Sequence, residues 1–302
     1  MSELLVTIAN ASAARNVPSE TPLARGHCES SMLMPGSDLR WDPGLSPMAR
    51  LYCRLLGAPI VGARIRWRRL QRLLPTQAHS ILDAGCGRGL IARGLARRYP
   101  VASVLAIDSD HEQQARNRTI AERAGLANCR FETADLTDLS GRTRFDLIVS
   151  VDNLEHIADD ESVLARFHEA LTPGGRLLLH VPHYYRRWPI WRRTVNFAVP
   201  GHVRPGYHLP EITERVQRAG FDVEAVGFTY GFLENLANNA SYAITGARAE
   251  RQGIYALAFP LLNAVAWLGQ WSSPSFGAGV WAIAHQASHK PIGCLRLIAV
   301  HE

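Results

Sequence analysis

Residues 80–89 read SILDAGCGRG: a short apolar run, an aspartate, and three glycines within five positions. An apolar run of this length that ends in glycine is typical of a buried strand. Glycines directly after a strand permit a tight turn into a helix and let a ligand approach the backbone closely. A glycine loop alone is a weak signal, because it also occurs in dinucleotide-binding proteins and in plain turns.

The segments that follow repeat the strand-then-helix pattern. Strands are predicted at 80–85, 101–108, 129–135, 145–152, 176–182 and 221–228, and helices at 90–99, 112–125, 161–171 and 210–220. Strand–helix alternation with short connections indicates a parallel sheet covered by helices on both faces. The sequence therefore predicts an α/β, Rossmann-like fold.

An aspartate stands at the end of each of four successive predicted strands. These residues are Asp83, Asp108, Asp135 and Asp152. Ligands of parallel sheets bind beyond the carboxyl ends of the strands. Asp108 follows the glycine loop by roughly 20 residues, where a carboxylate can accept both hydroxyls of a ribose. The alternative for any one of these acids is a turn or helix cap.

Five segments together resemble a known family: ILDAGCGRG, AIDSD, TADLTDL, FDLIVSVDNLEHI and LTPGGRLLLHVP. They resemble the successive motifs of class I S-adenosylmethionine-dependent methyltransferases, in particular the small-molecule branch that includes the ubiquinone-biosynthesis O-methyltransferases. The resemblance covers residues 75–228 and returns at 292–302, IGCLRLIAVHE, which resembles the last antiparallel strand. It implies a seven-stranded, mostly parallel sheet.

The same resemblance implies a set of residues that bind S-adenosylmethionine. Asp83 would face the amino-acid part of the cofactor, Asp108 would hold the ribose, and Asp152 would lie near the methyl acceptor. The full implied set is Asp83, Gly85, Gly87, Gly89, Asp108, Ser109, Asp135, Leu136, Asp152 and Asn153.

Methyl transfer from a sulfonium needs positioning, and a base where the acceptor must lose a proton. Candidate bases are His156, His183 and His202, since a neutral imidazole suits this role near pH 7. Tyr207 lies where such enzymes often contact the acceptor. A histidine that is only hydrogen-bonded at a strand end is the alternative for each.

No metal site is expected from the sequence. The pairs His180/His183 and His285/His289 have ligand spacing, but no nearby carboxylate or cysteine completes either pair. The five cysteines are scattered and never spaced as C-x-x-C, which indicates reduced thiols.

The chain divides into a loose leader (1–46) and a single domain (47–302) with two additions. Residues 47–75 form a basic helical cap, in which RIRWRRLQRLL is predicted to be an amphipathic helix that ends at Pro75. Residues 230–291 form an apolar insertion before the last strand. Its most apolar part, 253–269, spans about 25 Å as a helix, which is short for a bilayer.

Two interpretations of the insertion stay open. It is either a lid over the acceptor pocket or a surface that contacts a membrane peripherally. The membrane contact would involve 186–193, where arginines alternate with tryptophans, and the apolar stretch 253–271. The formal net charge of +6 agrees with an anionic partner without requiring one. No signal peptide is recognised, so a cytoplasmic location is expected, with the inner face of the membrane as the site of any lipid contact.

The sequence therefore predicts methyl transfer to a hydroxyl or carboxyl of a hydrophobic small molecule, such as a lipid, glycolipid, quinone precursor or secondary metabolite. One rival is an RNA or DNA methyltransferase. Against it, the fourth strand ends in Asp152-Asn153-Leu154-Glu155 and not in the Asn/Asp-Pro-Pro-aromatic motif, so a nucleic-acid partner is not expected. The other rival is a non-catalytic subunit that only binds the cofactor. The sequence does not indicate the oligomeric state.

Overall fold

A seven-stranded sheet forms the centre of the computed structural model, which describes residues 36–139, 144–188, 191–197, 199–246 and 252–286. Its strands are β1 (Ser80–Ala84), β2 (Ser103–Asp108), β3 (Cys129–Thr133), β4 (Phe145–Val151), β5 (Leu171–Pro182), β8 (Phe221–Thr229) and β9 (Gly279–Gln286). A separate hairpin pairs β6 (Tyr185–Arg187) with β7 (Arg193–Val195). The strand order is β3-β2-β1-β4-β5-β9-β8. β9 runs antiparallel to both of its neighbours, and the other strand pairs of this sheet are parallel. The predicted Rossmann-like, mostly parallel sheet is confirmed.

Helices cover both faces of this sheet. They are α1 (Pro47–Leu56), α2 (Val61–Leu70), α3 (Leu90–Arg98), α4 (His111–Arg123), α5 (Asp160–Ala170), α6 (Leu209–Arg218), α7 (Phe232–Thr245) and α8 (Gln252–Leu268). Successive residues of β1 point to opposite faces, so Ile81 packs in the core layer of α3 while Leu82 packs in the layer of α5 and α6. Both are fully buried, which explains why the strand reads as a continuous apolar run.

The last strand of the sheet differs from the prediction. Gly279–Gln286 pairs antiparallel with both β5 and β8, so the insertion ends before residue 279 and the predicted boundary at 291 is wrong. The segment 292–302, which was expected to form this strand, lies outside the described residues. The sequence GVWAIAHQ carries apolar side chains on both faces, because both faces of this inner strand are covered.

The boundary of the leader is also corrected. Within the expected loose segment, Ser37–Trp41 forms a 3-10 helix, and Ser37, Asp38 and Leu39 are buried. Asp38 binds Arg93 of α3 at 2.7 Å, and both side chains are almost fully buried. The buried ion pair fixes this segment to the domain, a long-range contact that composition does not reveal. Residues 1–35 lie outside the described ranges.

The cap and the insertion pack on each other above the carboxyl ends of the strands. Val61 and Ile65 of α2 share a small core with Ala237 of α7 and with Phe259 and Ala266 of α8. The predicted cap helix is two helices, α1 and α2, separated by Gly57–Ile60, where Gly57 has a positive φ of 71°.

The cap arginines join the cap to the insertion. Arg69 forms an ion pair with Glu234 at 2.8 Å, and Arg72 donates to the Gln270 carbonyl at 2.7 Å. Arg68 donates to Asn263, the one strongly polar residue of the apolar stretch, at 3.2 Å. Arg68 is therefore buried between the cap and the insertion and Arg69 is half-buried there, whereas Arg72 stays exposed although it donates to Gln270.

Within the described ranges, one helical stretch, Gly253–Trp271, is long and apolar enough to cross a membrane by length and composition. The chain enters α7 and α8 from β8 and leaves them into β9, and these two strands pair with each other. Both ends of the insertion are thus fixed to one edge of the sheet. One side of α8 buries Phe259 and Ala266, whereas Leu257 and Leu261 on the other side are 86% and 70% exposed.

Candidate active site

The loop after β1 is fastened to the end of β2. The backbone N–H groups of Gly85 and Cys86 both donate to the Ile107 carbonyl, at 2.9 and 3.0 Å. The Gly87 N–H donates to the Asp108 carboxylate at 2.8 Å. The predicted glycine loop and Asp108 therefore form one unit at the carboxyl edge of the sheet.

Two glycines of this loop serve different purposes. Gly85 has a φ of 76°, and a Cβ there would lie 2.2 Å from Cγ of Asn153, so only glycine lets β4 approach the loop this closely. Gly87 has a φ of 47°, and a Cβ there would meet no atom within 4 Å. The loop thus leaves open space above Gly87 into which a ligand can fit.

Two buried polar atoms near this loop have no hydrogen-bond partner among the described residues. They are Oδ2 of Asp83 and Nδ2 of Asn153. Burial raises the pKa of Asp83 to about 7, although a hydrogen bond from the Ala92 backbone opposes the shift. Unpaired buried polar groups are costly, so a polar ligand group or ordered water here would be stabilising. Together with the space above Gly87, these atoms fit the amino-acid end of S-adenosylmethionine.

The other predicted cofactor residues occupy varied positions. Ser109 is exposed beside Asp108, whose second oxygen accepts the Asp110 N–H at 3.1 Å. Asp135 caps the 3-10 turn Leu136–Asp138 by accepting from the N–H and hydroxyl of Thr137, at 2.8 and 2.7 Å. Those bonds lower the pKa of Asp135. Leu136 is buried in the core, so its side chain packs inward and only its backbone can border a ligand.

A cavity of about 240 Å³ lies beyond the ends of β4 and β5. Its walls come from the β4 end, from five residues between 196 and 205, and from α7 of the insertion. The lining residues are Asp152, Glu155, His156, His180, Pro182, Asn196, Phe197, Val199, His202, Pro205, Tyr230, Asn238, Tyr242 and Ala278. The cavity is thus polar near the sheet, with the stacked rings of Phe197 and Tyr242, 3.7 Å apart, forming one wall.

Asp152 connects the cofactor side to this cavity. It has a positive φ of 50°, which is unusual for a residue other than glycine. Its two carboxylate oxygens bind Arg66 at 2.9 Å and Nδ1 of His180 at 2.7 Å. Burial opposes ionisation, but the charge of Arg66 and the hydrogen bond with His180 outweigh it and hold the pKa of Asp152 at about 2. The site therefore contains a fixed carboxylate anion at neutral pH.

Glu155, His156 and His202 form a second polar group in the cavity. The rings of His156 and His202 lie 4.5 Å apart at 84°, and Nδ1 of His156 is 3.1 Å from the Gly201 carbonyl. Burial and the neighbouring His156 lower the pKa of His202, so it is neutral near pH 7. Burial and the charge of Asp152 raise the pKa of Glu155 well above its ordinary value. Two of the three predicted bases, His156 and His202, are brought together here.

His183 and Tyr207 lie elsewhere, which corrects the predicted set. His183 is buried, its Nδ1 lies 3.0 Å from the Gly277 carbonyl, and aromatic rings including Phe228 and Phe276 surround it. Tyr207 is fully buried and donates to Asp160 at 2.6 Å. Neither residue lines the cavity. His183 has the opposite orientation because side chains alternate along β5 and its continuation, and this places His180 in the cavity.

Sequence reasoning missed several residues of the cavity. The sequence marks His180 only as half of a possible metal-ligand pair, whereas in the structure both of its nitrogens are engaged, by Asp152 and by Thr229 at 2.9 Å. The sequence pattern places Arg66 on a basic face. Asn238 and Tyr242 stand on α7, where no motif marks them. The alternation of β5 could have identified His180, but the contacts of α2 and α7 depend on tertiary packing.

Comparison with known proteins supports the assignment of the fold. A family model described as "Methyltransferase domain" matches residues 60–226, more than half of the chain. The chain is 40% identical over 116 residues to a trans-aconitate 2-methyltransferase of Deinococcus radiodurans, which covers 38% of this chain and 43% of that protein. It is 34% identical over 108 residues to an uncharacterized methyltransferase of Mycobacterium tuberculosis, covering 36% of this chain and 53% of the relative. The chain thus spans about half the length, or less, of these relatives.

Solved structures share the fold at lower identity. Phospholethanolamine N-methyltransferase 2 of Haemonchus contortus, in complex with phosphomonomethylethanolamine and S-adenosylhomocysteine, has a TM-score of 0.51 at 18% identity, covering 75% of this chain and 53% of that one. The cyclase SpnF has a TM-score of 0.50 at 20% identity, with coverages of 74% and 81%. Because one of these proteins is named as a cyclase, the shared fold does not by itself decide the reaction.

Proposed function

This chain belongs to the methyltransferase domain family, and from that premise we propose that it transfers a methyl group from S-adenosylmethionine to an oxygen atom of a small acceptor. The single observation that carries the proposal is Asp152-Asn153: Asn153 lies against the glycine loop, while Asp152 lines the polar cavity. The acceptor would therefore be held next to the place where the cofactor fits.

The cofactor, when bound, supplies a methyl group on a positively charged sulfur, and the residues of the chain hold and orient it. Asp108 would accept the ribose hydroxyls, while Asp83 and Asn153 would meet the amino-acid end directly or through water. The acceptor oxygen forms the new C–O bond as the C–S bond breaks, and the sulfur keeps the bonding electron pair. For a hydroxyl acceptor, His156 or His202 can take the proton; a carboxylate acceptor has none to lose.

The cavity supports an acceptor with a polar reacting end and an apolar remainder. Histidine, aspartate and asparagine side chains surround the inner end, and the Phe197–Tyr242 wall borders one side. Ligand pockets usually measure about 300–1,000 Å³. A cavity of about 240 Å³ holds the reacting group of a lipid or quinone precursor but not a long chain, which would extend beyond it.

The arginines of α2 give the nucleic-acid rival little support. Arg66 and Arg69 are engaged by Asp152 and Glu234, and Arg68 is largely buried. A phosphate backbone needs exposed cations. The other rival, a subunit that binds the cofactor without transferring its methyl group, is distinguished from an enzyme by the label-transfer experiment below.

The test measures label transfer from tritiated S-adenosylmethionine into an extract of the source cells. We compare the unmodified protein with Asp108→Ala and with a matched control, Asp222→Ala, an exposed acid on β8. The proposal expects label in extractable small molecules, lost with Asp108→Ala and kept with Asp222→Ala. Label in a nuclease-sensitive polymer would support the nucleic-acid rival, and cofactor binding without transfer would support the binding subunit.

Peripheral contact with an anionic lipid surface is a further part of the proposal. Its support is the exposed apolar side of α8, with Leu257 and Leu261, together with exposed Trp191 and Arg192 in the β6–β7 connection. Asn235 and Asn239 of α7 donate to the Arg187 carbonyl, which holds this hairpin against the insertion. Tryptophan and arginine beside an apolar face favour anionic interfaces.

Sedimentation with vesicles tests the lipid contact. The unmodified protein is expected to bind vesicles that contain phosphatidylglycerol more than vesicles of phosphatidylcholine alone, and Leu257→Asp should abolish binding. Val101→Asp is the matched control, since Val101 is 85% exposed and far from the insertion in the sheet. Equal sedimentation of Leu257→Asp would overturn the proposal. Self-association that depends on Leu257, without vesicle binding, would assign the face to a second copy of the chain.

A further inference from the structure

We propose that Glu155, His156 and His202 bind one divalent transition-metal ion of the zinc type at the wall of the acceptor cavity. The inference rests on the proposed function, because it assigns a way to bind the acceptor oxygen at the same site. It revises the sequence-based prediction of no metal site, because that prediction rests on histidine pairs close in sequence.

The geometry brings the three ligands together. One ligand atom from each residue lies within 4.8 Å of the other two. Glu155 and His156 stand on the 3-10 turn Leu154–His156, directly after β4. Two hydrogen bonds hold the loop of His202 against this turn: Val203 N–H to the Glu155 carbonyl at 2.9 Å, and the contact of His156 Nδ1 with the Gly201 carbonyl at 3.1 Å.

Two atoms of the cluster lack partners among the residues that the structure describes. Oε2 of Glu155 and Nδ1 of His202 are both buried and without a hydrogen bond. Glu155 as a whole is only 1% exposed. The nearest arginines have other partners, because Arg66 binds Asp152 and Arg204 binds Asp160 and Tyr207. A buried carboxylate oxygen and a buried imidazole nitrogen that lack partners would both be satisfied by one cation.

The donor set selects the kind of metal. Two imidazoles and one carboxylate suit zinc and neighbouring transition metals better than magnesium or calcium, which prefer oxygen ligands. A hydrogen bond from His156 Nδ1 to a backbone carbonyl would leave Nε2 as its ligand atom, the usual arrangement around a metal-bound histidine. Three protein ligands leave a coordination position open.

The open position would face the acceptor, because all three residues line the cavity. A hydroxyl or carboxylate oxygen bound there would be fixed in place for attack on the methyl group. Coordination would lower the pKa of a hydroxyl, so its proton could pass to solvent while both imidazoles stay bound. The oxygen electron pair would still form the C–O bond, as in the proposed transfer.

The test titrates zinc and cobalt(II) into untagged, full-length protein that has been stripped with a chelator. Calorimetry is expected to show one ion per chain, and cobalt should give visible ligand-field absorption. Glu155→Gln and His202→Asn should each weaken binding at least tenfold. His285→Gln is the matched control, and this variant should bind the ion as the unmodified protein does. His285 also contacts a carboxylate, Glu224, at 2.7 Å, but it belongs to no three-ligand group among the residues that the structure describes. Circular dichroism melting verifies that each variant is folded.

The outcomes separate this inference from the proposed function. One ion per chain that depends on Glu155 and His202 supports the metal site even if no methyl acceptor is found. Absence of saturable binding, or binding unchanged in both variants, overturns the site. Methyl transfer that continues at full rate in the stripped protein would also overturn the metal's role while leaving the proposed transfer intact.

Discussion

The cofactor side of the molecule is built from residues close in sequence, whereas the acceptor side is built from residues far apart. Gly87 and Asp108, which bind each other at the cofactor side, are 21 positions apart. Arg66 and Tyr230, which bind each other at the cavity, are 164 positions apart, and Arg69 and Glu234 are 165 apart. A local motif can therefore specify the first region, while the second depends on a few buried contacts between cap and insertion.

The largest expected effect tests that dependence on long-range contacts. Arg69→Met should lower the free energy of unfolding by about 3–5 kcal/mol, because it leaves the fully buried Glu234 carboxylate without its cation. Urea unfolding followed by circular dichroism measures the change.

Arg166→Met is the matched control for this prediction. Arg166 pairs with Glu169 at the same distance, 2.8 Å, but on an exposed surface, so the loss should be about 0–1 kcal/mol. Equal losses in the two variants would contradict the view that the buried pair holds the insertion in place.

The next largest effect concerns cofactor binding. Asp108→Ala should weaken binding of S-adenosylmethionine about 100-fold, because hydrogen bonds to a charged group contribute about 1.5–3 kcal/mol each. Calorimetric titration gives the affinity. An affinity within twofold of the unmodified protein would remove Asp108 from the cofactor site.

A pH series tests the residue where the two regions meet. The pKa of Asp152 is about 2 in the folded protein, below the ordinary aspartate value of about 3.9, so its ionised form stabilises the fold by up to about 2.6 kcal/mol. This stabilisation is fully present above about pH 4 and is lost as the pH falls toward 2.

Comparison with Asp152→Asn isolates that contribution. The difference in unfolding free energy between the unmodified protein and the variant should be largest above pH 5 and should shrink as the pH falls from 4 to 2. A difference that stays constant over this range would show that the ion pair with Arg66 does not hold the carboxylate ionised.

The smallest effect concerns the space above the glycine loop. Gly87→Ala and Gly125→Ala should each cost about 1 kcal/mol of stability, because both positions have positive φ and no atom within 4 Å of a new Cβ. Only Gly87→Ala should also weaken cofactor binding, by about tenfold, since its methyl group would enter the proposed binding space. Equal cofactor affinity in both variants would place the cofactor elsewhere.

The fold could be predicted well because its signals are local. The apolar run of β1 and the acid at the end of each neighbouring strand stand within short segments, and the sheet forms as they indicate. The glycine loop, Asp108 and Asn153 also come together as expected. Asp135 and Leu136 show the limit, because one is a cap and the other a core residue, two roles that the motif alone does not separate.

The acceptor side could not be predicted to the same depth. Whether Arg66 faces solvent or Asp152 depends on how α2 packs against the insertion, and residues 164 positions apart give no periodic signal. The sequence analysis names His183 and not His180 as a candidate base, although side-chain alternation along β5 places the two residues on opposite faces of the sheet. The prediction of the last strand at 292–302 rests on a resemblance of that segment to the family's last antiparallel strand, whereas Gly279–Gln286 occupies that position in the sheet.

The most direct test of the account is the methyl-transfer rate of Asn238→Leu at saturating S-adenosylmethionine. Asn238 lines the cavity from α7 and lies far in sequence from the glycine loop. If the cavity holds the acceptor, the rate into the cell extract should fall at least tenfold, since the reacting group would be misplaced. A rate equal to that of the unmodified protein would contradict the assignment of this cavity as the acceptor site.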